Sequence, residues 1–434
     1  KVYRKRWFIL TIATIYEILV CIDLASFGQI NNVLAELWQV KPWQVDWLNL
    51  TTTTVYIVLT IPFCTLFQGS SLRKLIIAFN AVLTVGLMLV MTGLALPSGG
   101  FPVAIIGQIA TGISVLINFS TIPHVSAVWF PSNEVATAVA VQWVGRGVGS
   151  ALGAEILPLL VNAKRPSKEN RQHLVIFYGA TTAISLIVSV LSWWKVDDRP
   201  PTPPSFAQQK VQEENDQPGG RWDVLREFKE IVTHKTSVVA LMASSTTYAL
   251  MPFYTILLSS ILRKGFPHRN GTDALAGRAV MFSWAIGTVA SLASGPLISR
   301  TKAYKPIVLA SMFGIAFCCV MFMIAFIVKS VVLIYVTVVA LGIVDGVIVT
   351  SQMELIAEVI YPKSTHRISQ LLLMSLAVCQ MTYIGIGRVL LSDVGSAVAT
   401  NIPPCVLVST MAVVLLLTPI PYNRTEVNSS GERE

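Results

Sequence analysis

Charge is scarce in this chain of 434 residues. Asp, Glu, Lys and Arg make up 13% of it, hydrophobic residues 53%, and the mean hydropathy is +0.65. Soluble domains carry about 25% charged residues, so a string of water-facing domains is excluded. Cysteine is scarce too: Cys21, Cys64, Cys318, Cys319, Cys379 and Cys405 all fall inside apolar runs. That placement suits small packing residues and excludes a disulfide or thiolate-metal framework. The five histidines avoid the centres of the apolar runs. There is no HExxH, no CxxC pair and no Ser/His/Asp grouping on a loop, so neither an enzyme nor a metal or cofactor site is expected. The net charge of +9 gathers at run ends and in loops. No basic face is interleaved with exposed aromatics, which excludes a nucleic-acid partner.

What the chain has instead is a series of long apolar runs, most of about 20 residues or more, enough to cross a hydrocarbon core of about 30 Å. Spans are expected near 7–36, 44–68, 75–96, 102–130, 134–162 and 172–194, and again near 236–262, 276–299, 306–328, 331–360, 367–391 and 401–420. The polar break Phe130-Pro131-Ser132-Asn133-Glu134 has a counterpart at Tyr361-Pro362-Lys363-Ser364, 231 residues later. The same offset carries Gly69-Ser70-Ser71-Leu72-Arg73-Lys74 onto Arg300-Thr301-Lys302-Ala303-Tyr304-Lys305. Two turns sharing one spacing point to a duplicated unit. The expected fold is an all-α polytopic membrane protein with twelve helices in two six-helix bundles. Each bundle has an even number of spans, so the repeats are parallel, an arrangement resembling the major facilitator transporters. The bundles are placed at 1–194 and 236–421. Between them, 195–235 is a cytoplasmic linker, in which Trp222, Leu225, Phe228 and Val232 suggest an amphipathic interfacial helix. The tail 422–434 is expected to be disordered.

Basic residues favour the side holding both termini by roughly two to one, which puts the termini in the cytoplasm. Trp7, Trp38, Trp43, Trp47, Trp129, Trp193 and Trp194 fall near span ends, as interfacial anchors do. The sequon at Asn270 lands in an outer loop and is a glycosylation candidate. No secretory leader is visible, and with Lys1 in place of Met further residues are expected upstream.

An ionisable group near the bilayer centre costs about 2.5–3.5 kcal/mol on insertion scales, so each one calls for a reason. Asp23, Arg146 and Asp345 lie near span centres, with Glu17 and Glu155 a turn or two away. Adding the repeat offset to Asp23 gives Tyr254, pairing a counter-charge with a π face, a start for an organic-cation pocket. The alternative is that Arg146 pairs with Asp23 or Asp345 only to offset burial. Glu134, Glu354 and Glu358 sit towards inner span ends as gate or turn residues, where a carboxylate suits helix-start amides. Gly145-Arg146-Gly147-Val148-Gly149 with Gly153 is no nucleotide loop, since no strand precedes it; its small-xxx-small spacing lets helices approach. Gln142 and Trp143 share that neighbourhood.

Several stretches together resemble the feline leukaemia virus subgroup C receptor-related family, a branch of the major facilitators linked to haem and choline transport. They are Gly28-Gln29-Ile30-Asn31-Asn32, Val128-Trp129-Phe130 with Glu134 and Thr137-Ala138, the proline run Pro200–Ser205, and Glu354 through Glu358 to Tyr361-Pro362. The resemblance covers most of the chain and implies a transport role. Phe253-Tyr254 matches the aromatic pair whose tyrosine helps enclose choline in the family's choline carriers. Leu24 stands where those carriers place a cage tryptophan, and Val115 and Ala377 stand where they place glutamines, with Gln380 one turn from Ala377. Gln68 and Ser299 replace an acidic loop position, and Thr365-His366 an acidic-glycine pair.

The expectation is therefore an alternating-access transporter whose halves rock about a central site. Asp23, Leu24, Gln142, Trp143, Tyr254, Asp345 and Gln380 would line it, and Arg146, Glu134, Glu354 and Glu358 would couple or gate. The cargo expected is a small organic cation such as choline or ethanolamine. A haem carrier is an alternative that the lack of mid-span histidine disfavours; a non-transporting receptor or sensor is kept open by the missing acids at the inner turns. A monomer in the plasma membrane is expected, with a lysosomal or other organelle membrane as the alternative.

Overall fold

The computed structural model describes residues 3–66, 70–131, 134–161, 165–200, 221–269, 271–301, 303–360 and 365–421. The sequon Asn270, the linker prolines after Pro200, the break at 361–364, Gln68 and the tail from 422 lie outside the described residues. Of Ser299, Thr365 and His366 only the backbone is described. The chain divides into two compact units, Lys1–Val224 and Leu225–Glu434.

The first unit contains α1 (Lys5–Gln29), α2 (Asn31–Trp38), α3 (Pro42–Val45), α4 (Trp47–Leu66), α5 (Leu72–Ala95), α6 (Gly100–Trp129), α7 (Val135–Leu160) and α8 (Ser167–Lys195). Glycine sets its closest helix contacts. A β-carbon on Gly149 would lie 2.4 Å from the Ile18 carbonyl oxygen, and one on Gly153 2.5 Å from that of Ile22. Only hydrogen at these positions lets the α1 and α7 backbones touch, which is how helices pack where lipid removes the hydrophobic drive between them. Helix ends are tied by side chains. Arg171 at the start of α8 donates to the carbonyls of Leu94 (2.8 Å), Leu96 and Leu37 (3.3 Å), closing the C-terminal turns of α5 and α2.

α9 (Arg221–Thr233) spans the boundary between the units. Among its described side chains Phe228 and Ile231 are buried, whereas Val232 is exposed. The expected apolar stripe thus runs through Ile231 at its C-terminal end, one residue before the position assigned from spacing. The side chains of Trp222 and Leu225 lie outside the described set.

The second unit contains α10 (Lys235–Tyr248), α11 (Leu250–Gly265), α12 (Thr272–Thr301), α13 (Tyr304–Ile327), α14 (Val331–Ile360), α15 (Thr365–Val389) and α16 (Ile402–Leu417). A wide turn over Leu390–Val394 ends α15, and Gly395 follows at φ 66, a left-handed conformation that suits glycine. α10 and α11 form one span broken at Ala249. Pro252 has no N–H to offer the carbonyl of Tyr248, so the ladder is already interrupted at this break. The duplication reappears in packing. A β-carbon on Gly112 would lie 3.1 Å from the Cα of Thr52, and one on Gly342 2.3 Å from the Ser283 carbonyl oxygen. Thr52 and Ser283 are 231 residues apart, Gly112 and Gly342 are 230 apart.

Among the described residues eleven helical stretches are long and apolar enough to cross a membrane. α7 has 26 residues but is diluted by Gln142, Arg146, Glu155 and its glycines; it stands where the remaining expected span falls. Rows of exposed apolar side chains on α8, such as Ile176, Ile187 and Val190, suit contact with lipid. Trp7, Trp43, Trp47, Trp193 and Trp194 are exposed at span ends, but Trp129 is buried. Its indole packs inside the first unit and is no interfacial anchor. Five of the six cysteines are buried, Cys405 half so, and all are free thiols.

Candidate functional site

Costly groups in the first unit gather where α1, α6 and α7 meet. The glycine seam draws the two backbones together: a β-carbon on Gly145 would lie 3.0 Å from the Thr14 carbonyl oxygen and 3.6 Å from the Glu17 β-carbon. That proximity brings the next residue, Arg146, within reach of Glu17, whose carboxylate oxygen lies 3.9 Å from a guanidinium nitrogen. Glu17 is thus an acid beside Arg146, one that the charge pattern had not put forward as its partner. Glu17 also accepts from the side-chain amide of Asn118 on α6 at 2.6 Å and from the Cys21 thiol at 3.7 Å.

Two aromatic rings complete this centre. The Arg146 guanidinium lies 5.7 Å from the Trp143 ring centroid and 5.8 Å from that of Phe119. The rings meet edge to face at 88° with centroids 6.1 Å apart. Within about 6 Å of a ring face a cation is attracted by the π quadrupole. A carboxylate and two rings are thus arranged round one positive charge, with Glu17 1% and Arg146 15% exposed at the side chain. Glu17, Asn118 and Phe119 were not singled out from the sequence as ligand candidates. The signal available was the opposite sign of Glu17 and Arg146, both off the lipid-tolerated norm.

The other expected site residues are divided between the two units. Asp23 is fully buried in the first unit and accepts from the Gln108 amide of α6 at 2.9 Å, with the hydroxyls of Thr111 and Tyr178 beside it. Tyr254, its repeat counterpart, donates from its hydroxyl to Asn401 at 2.8 Å and packs against Phe253 and Phe322 inside the second unit. Both side chains thus have partners within their own bundle. Gln142 is buried and its amide reaches the carbonyls of Ile122 (3.4 Å) and Ala138 (3.3 Å), within the α6–α7 packing. Leu24 on α1 and Gln380 on α15 are half-buried.

Asp345 on α14 is buried, and its Oδ1 has no hydrogen-bond partner among the described residues. Glu358 is buried and Glu354 half-buried near the end of the same helix. Glu134, the residue before α7, makes no side-chain cap to helix-start amides. It instead pairs with Arg6 at 2.7 Å, and that guanidinium lies 5.3 Å from the rings of both Trp7 and Phe130. α10 in the second unit is rich in hydroxyls: Thr247 receives Gln352 of α14, Ser245 meets Ser375 of α15 at 2.6 Å, and Tyr383 donates to the Thr246 carbonyl at 3.0 Å.

The sequence matches the Major Facilitator Superfamily over residues 13–384. The chain belongs to that superfamily. Solved facilitator structures share its fold. A bacterial homolog of the human lysosomal transporter Spinster superposes with a TM-score of 0.70 at 13% identity, covering 96% of this chain and 97% of that one. The xylose transporter XylE from E. coli gives 0.70 at 14% identity, covering 96% and 98%. Among curated proteins, this facilitator is 27% identical over 305 residues to the choline/ethanolamine transporter flvcr2a of Danio rerio. It is 26% identical over 308 residues to the choline/ethanolamine transporter FLVCR2 of Homo sapiens. Each match covers 70% of this chain but only 63% and 56% of those relatives, less than two thirds of their length. The facilitator is thus similar in sequence to the FLVCR proteins and is a multi-pass membrane protein of a transporter superfamily, not of an enzyme family.

Proposed function

We propose that this facilitator carries a small organic cation of the choline or ethanolamine class across a membrane by alternating access. One observation carries the cation assignment: the Glu17 carboxylate and the rings of Phe119 and Trp143 surround a positive charge in the first unit. A counter-charge and π faces are what an ammonium group needs once stripped of water. The names of the curated relatives support the same class of cargo. Glu17 serves as counter-charge, while Asp23 and Tyr254 brace their own bundles. Leu24, Gln380 and Asp345 remain candidate cargo contacts, and Arg6–Glu134, Glu354 and Glu358 candidate gating groups.

The basic bias of the loops supports cytoplasmic termini, and we place the protein in the plasma membrane as a monomer, with Asn270 glycosylated outside. The test is uptake of labelled choline and ethanolamine into proteoliposomes. Saturable uptake whose KM Glu17→Gln raises by at least about tenfold is the expected result. Binding without accumulation would reassign the protein as a receptor, and neither binding nor uptake of any ammonium compound would remove the cation assignment.

A further inference from the structure

We infer that Arg146 is a tethered stand-in for the cargo: its guanidinium occupies the cation site formed by Glu17, Phe119 and Trp143 and must be displaced before an organic cation binds. This rests on the proposed cation function and specifies how that site selects.

Four features of the centre support it. The guanidinium meets every group an ammonium would use, at 3.9 Å from the carboxylate and 5.7 and 5.8 Å from the two ring centroids. Its hold on the carboxylate is loose, since a charge-assisted N–H···O bond closes to about 2.7–2.9 Å. Glu17 keeps its other partners without it, because Asn118 donates at 2.6 Å and Cys21 at 3.7 Å. Arginine, finally, has a long stem and a head that water tolerates, and of the pair it is the less buried, 15% against 1% for Glu17.

Exchange of one cation for another keeps Glu17 paired at each end of the step. A buried carboxylate left alone is costly, so this replacement avoids the state that would oppose cargo entry and release. Two cations cannot share the site: at about 4 Å like charges repel by about 1 kcal/mol in water and about 4 kcal/mol at an effective dielectric of 20. Neutral molecules lack the charge needed to replace a guanidinium, so the site rejects them. Occupancy by Arg146 also weakens apparent affinity in proportion to the fraction of time the site is open. If the guanidinium occupies the site about nine-tenths of the time, its removal tightens binding about tenfold.

The experiment is calorimetric titration of the purified full chain with choline, tetramethylammonium and the zwitterion betaine. Wild type, Arg146→Gln, Glu17→Gln and the double variant are compared. Choline and tetramethylammonium are expected to bind Arg146→Gln about tenfold tighter than wild type, and Glu17→Gln more weakly. The double variant is expected to bind them more tightly than Glu17→Gln alone, because the rings are freed.

Unchanged or weaker binding of both cations by Arg146→Gln overturns the proposal. A loss confined to betaine, with no gain for choline, also overturns it and makes Arg146 a ligand for an anionic end of the cargo. If Arg146→Gln does not fold, Arg146→Lys supplies the same readout: its ammonium stacks less well on the rings, so cations should bind tighter than to wild type, and equal or weaker binding overturns the idea. Cation binding by wild type with no gain in the variants removes only this inference. Absence of cation binding in every variant removes the proposed function with it.

Discussion

The carbonyl oxygen of Ile18 lies 2.4 Å from where a β-carbon on Gly149 would sit. No rotamer relieves that contact, because the backbone fixes the β-carbon and its partner is a backbone atom. Gly149→Ala must push α1 and α7 apart, at a cost of about 1–3 kcal/mol. The expected outcome is a melting temperature lower by roughly 5 °C in detergent, with less protein in the monodisperse chromatographic peak. Gly385→Ala, where a β-carbon meets nothing within 4 Å, should match wild type in the same assay.

Glu17 and Asp23 lie on one helix but have different surroundings. Glu17→Gln removes the charge facing Arg146, so the KM for choline uptake should rise by at least about tenfold, a loss of about 1.4 kcal/mol. Asp23→Asn keeps an oxygen that accepts from Gln108, and its KM should stay within about twofold of wild type. Proteoliposome uptake measured side by side checks both. An equal rise in the two variants would place the cargo against Asp23 as well.

Arg6 and Glu134 join the first turn of α1 to the residue before α7 at 2.7 Å. Glu134 is 34% exposed at the side chain, which weakens the pair relative to a buried one. A double-mutant cycle with Arg6→Ala and Glu134→Ala should give a coupling energy of roughly 1–2 kcal/mol in thermal unfolding. Arg6→Ala alone should cost more than Glu134→Ala, since it also gives up the contacts with Trp7 and Phe130.

Asp345 is buried, and no described residue bonds its Oδ1. A charge in that setting opposes folding, and an amide of the same shape does not carry it. Asp345→Asn is therefore expected to raise the melting temperature at neutral pH by about 2–4 °C, equivalent to about 1 kcal/mol. A fall would show that the carboxylate holds a proton or cation the protein needs.

The amino-acid sequence by itself determined the helical membrane fold and where its apolar runs lie. Run length against bilayer thickness does this, and the 231-residue offset of two separate turns points to a duplicated unit. It also marked a close helix approach at Gly149 and Gly153, since only small residues at that spacing admit a second backbone, while α1 as the partner came from the packing. Tertiary structure alone decided which way the costly side chains point. Glu17 and Asp23 are six residues apart, so about 100° per residue sets them about 120° from each other round α1. Their separation is legible, but not which of them meets Arg146. In a soluble helix the polar stripe would mark the outside. A helix apolar all round carries no such mark, and the partner of each buried charge is settled only when the helices pack.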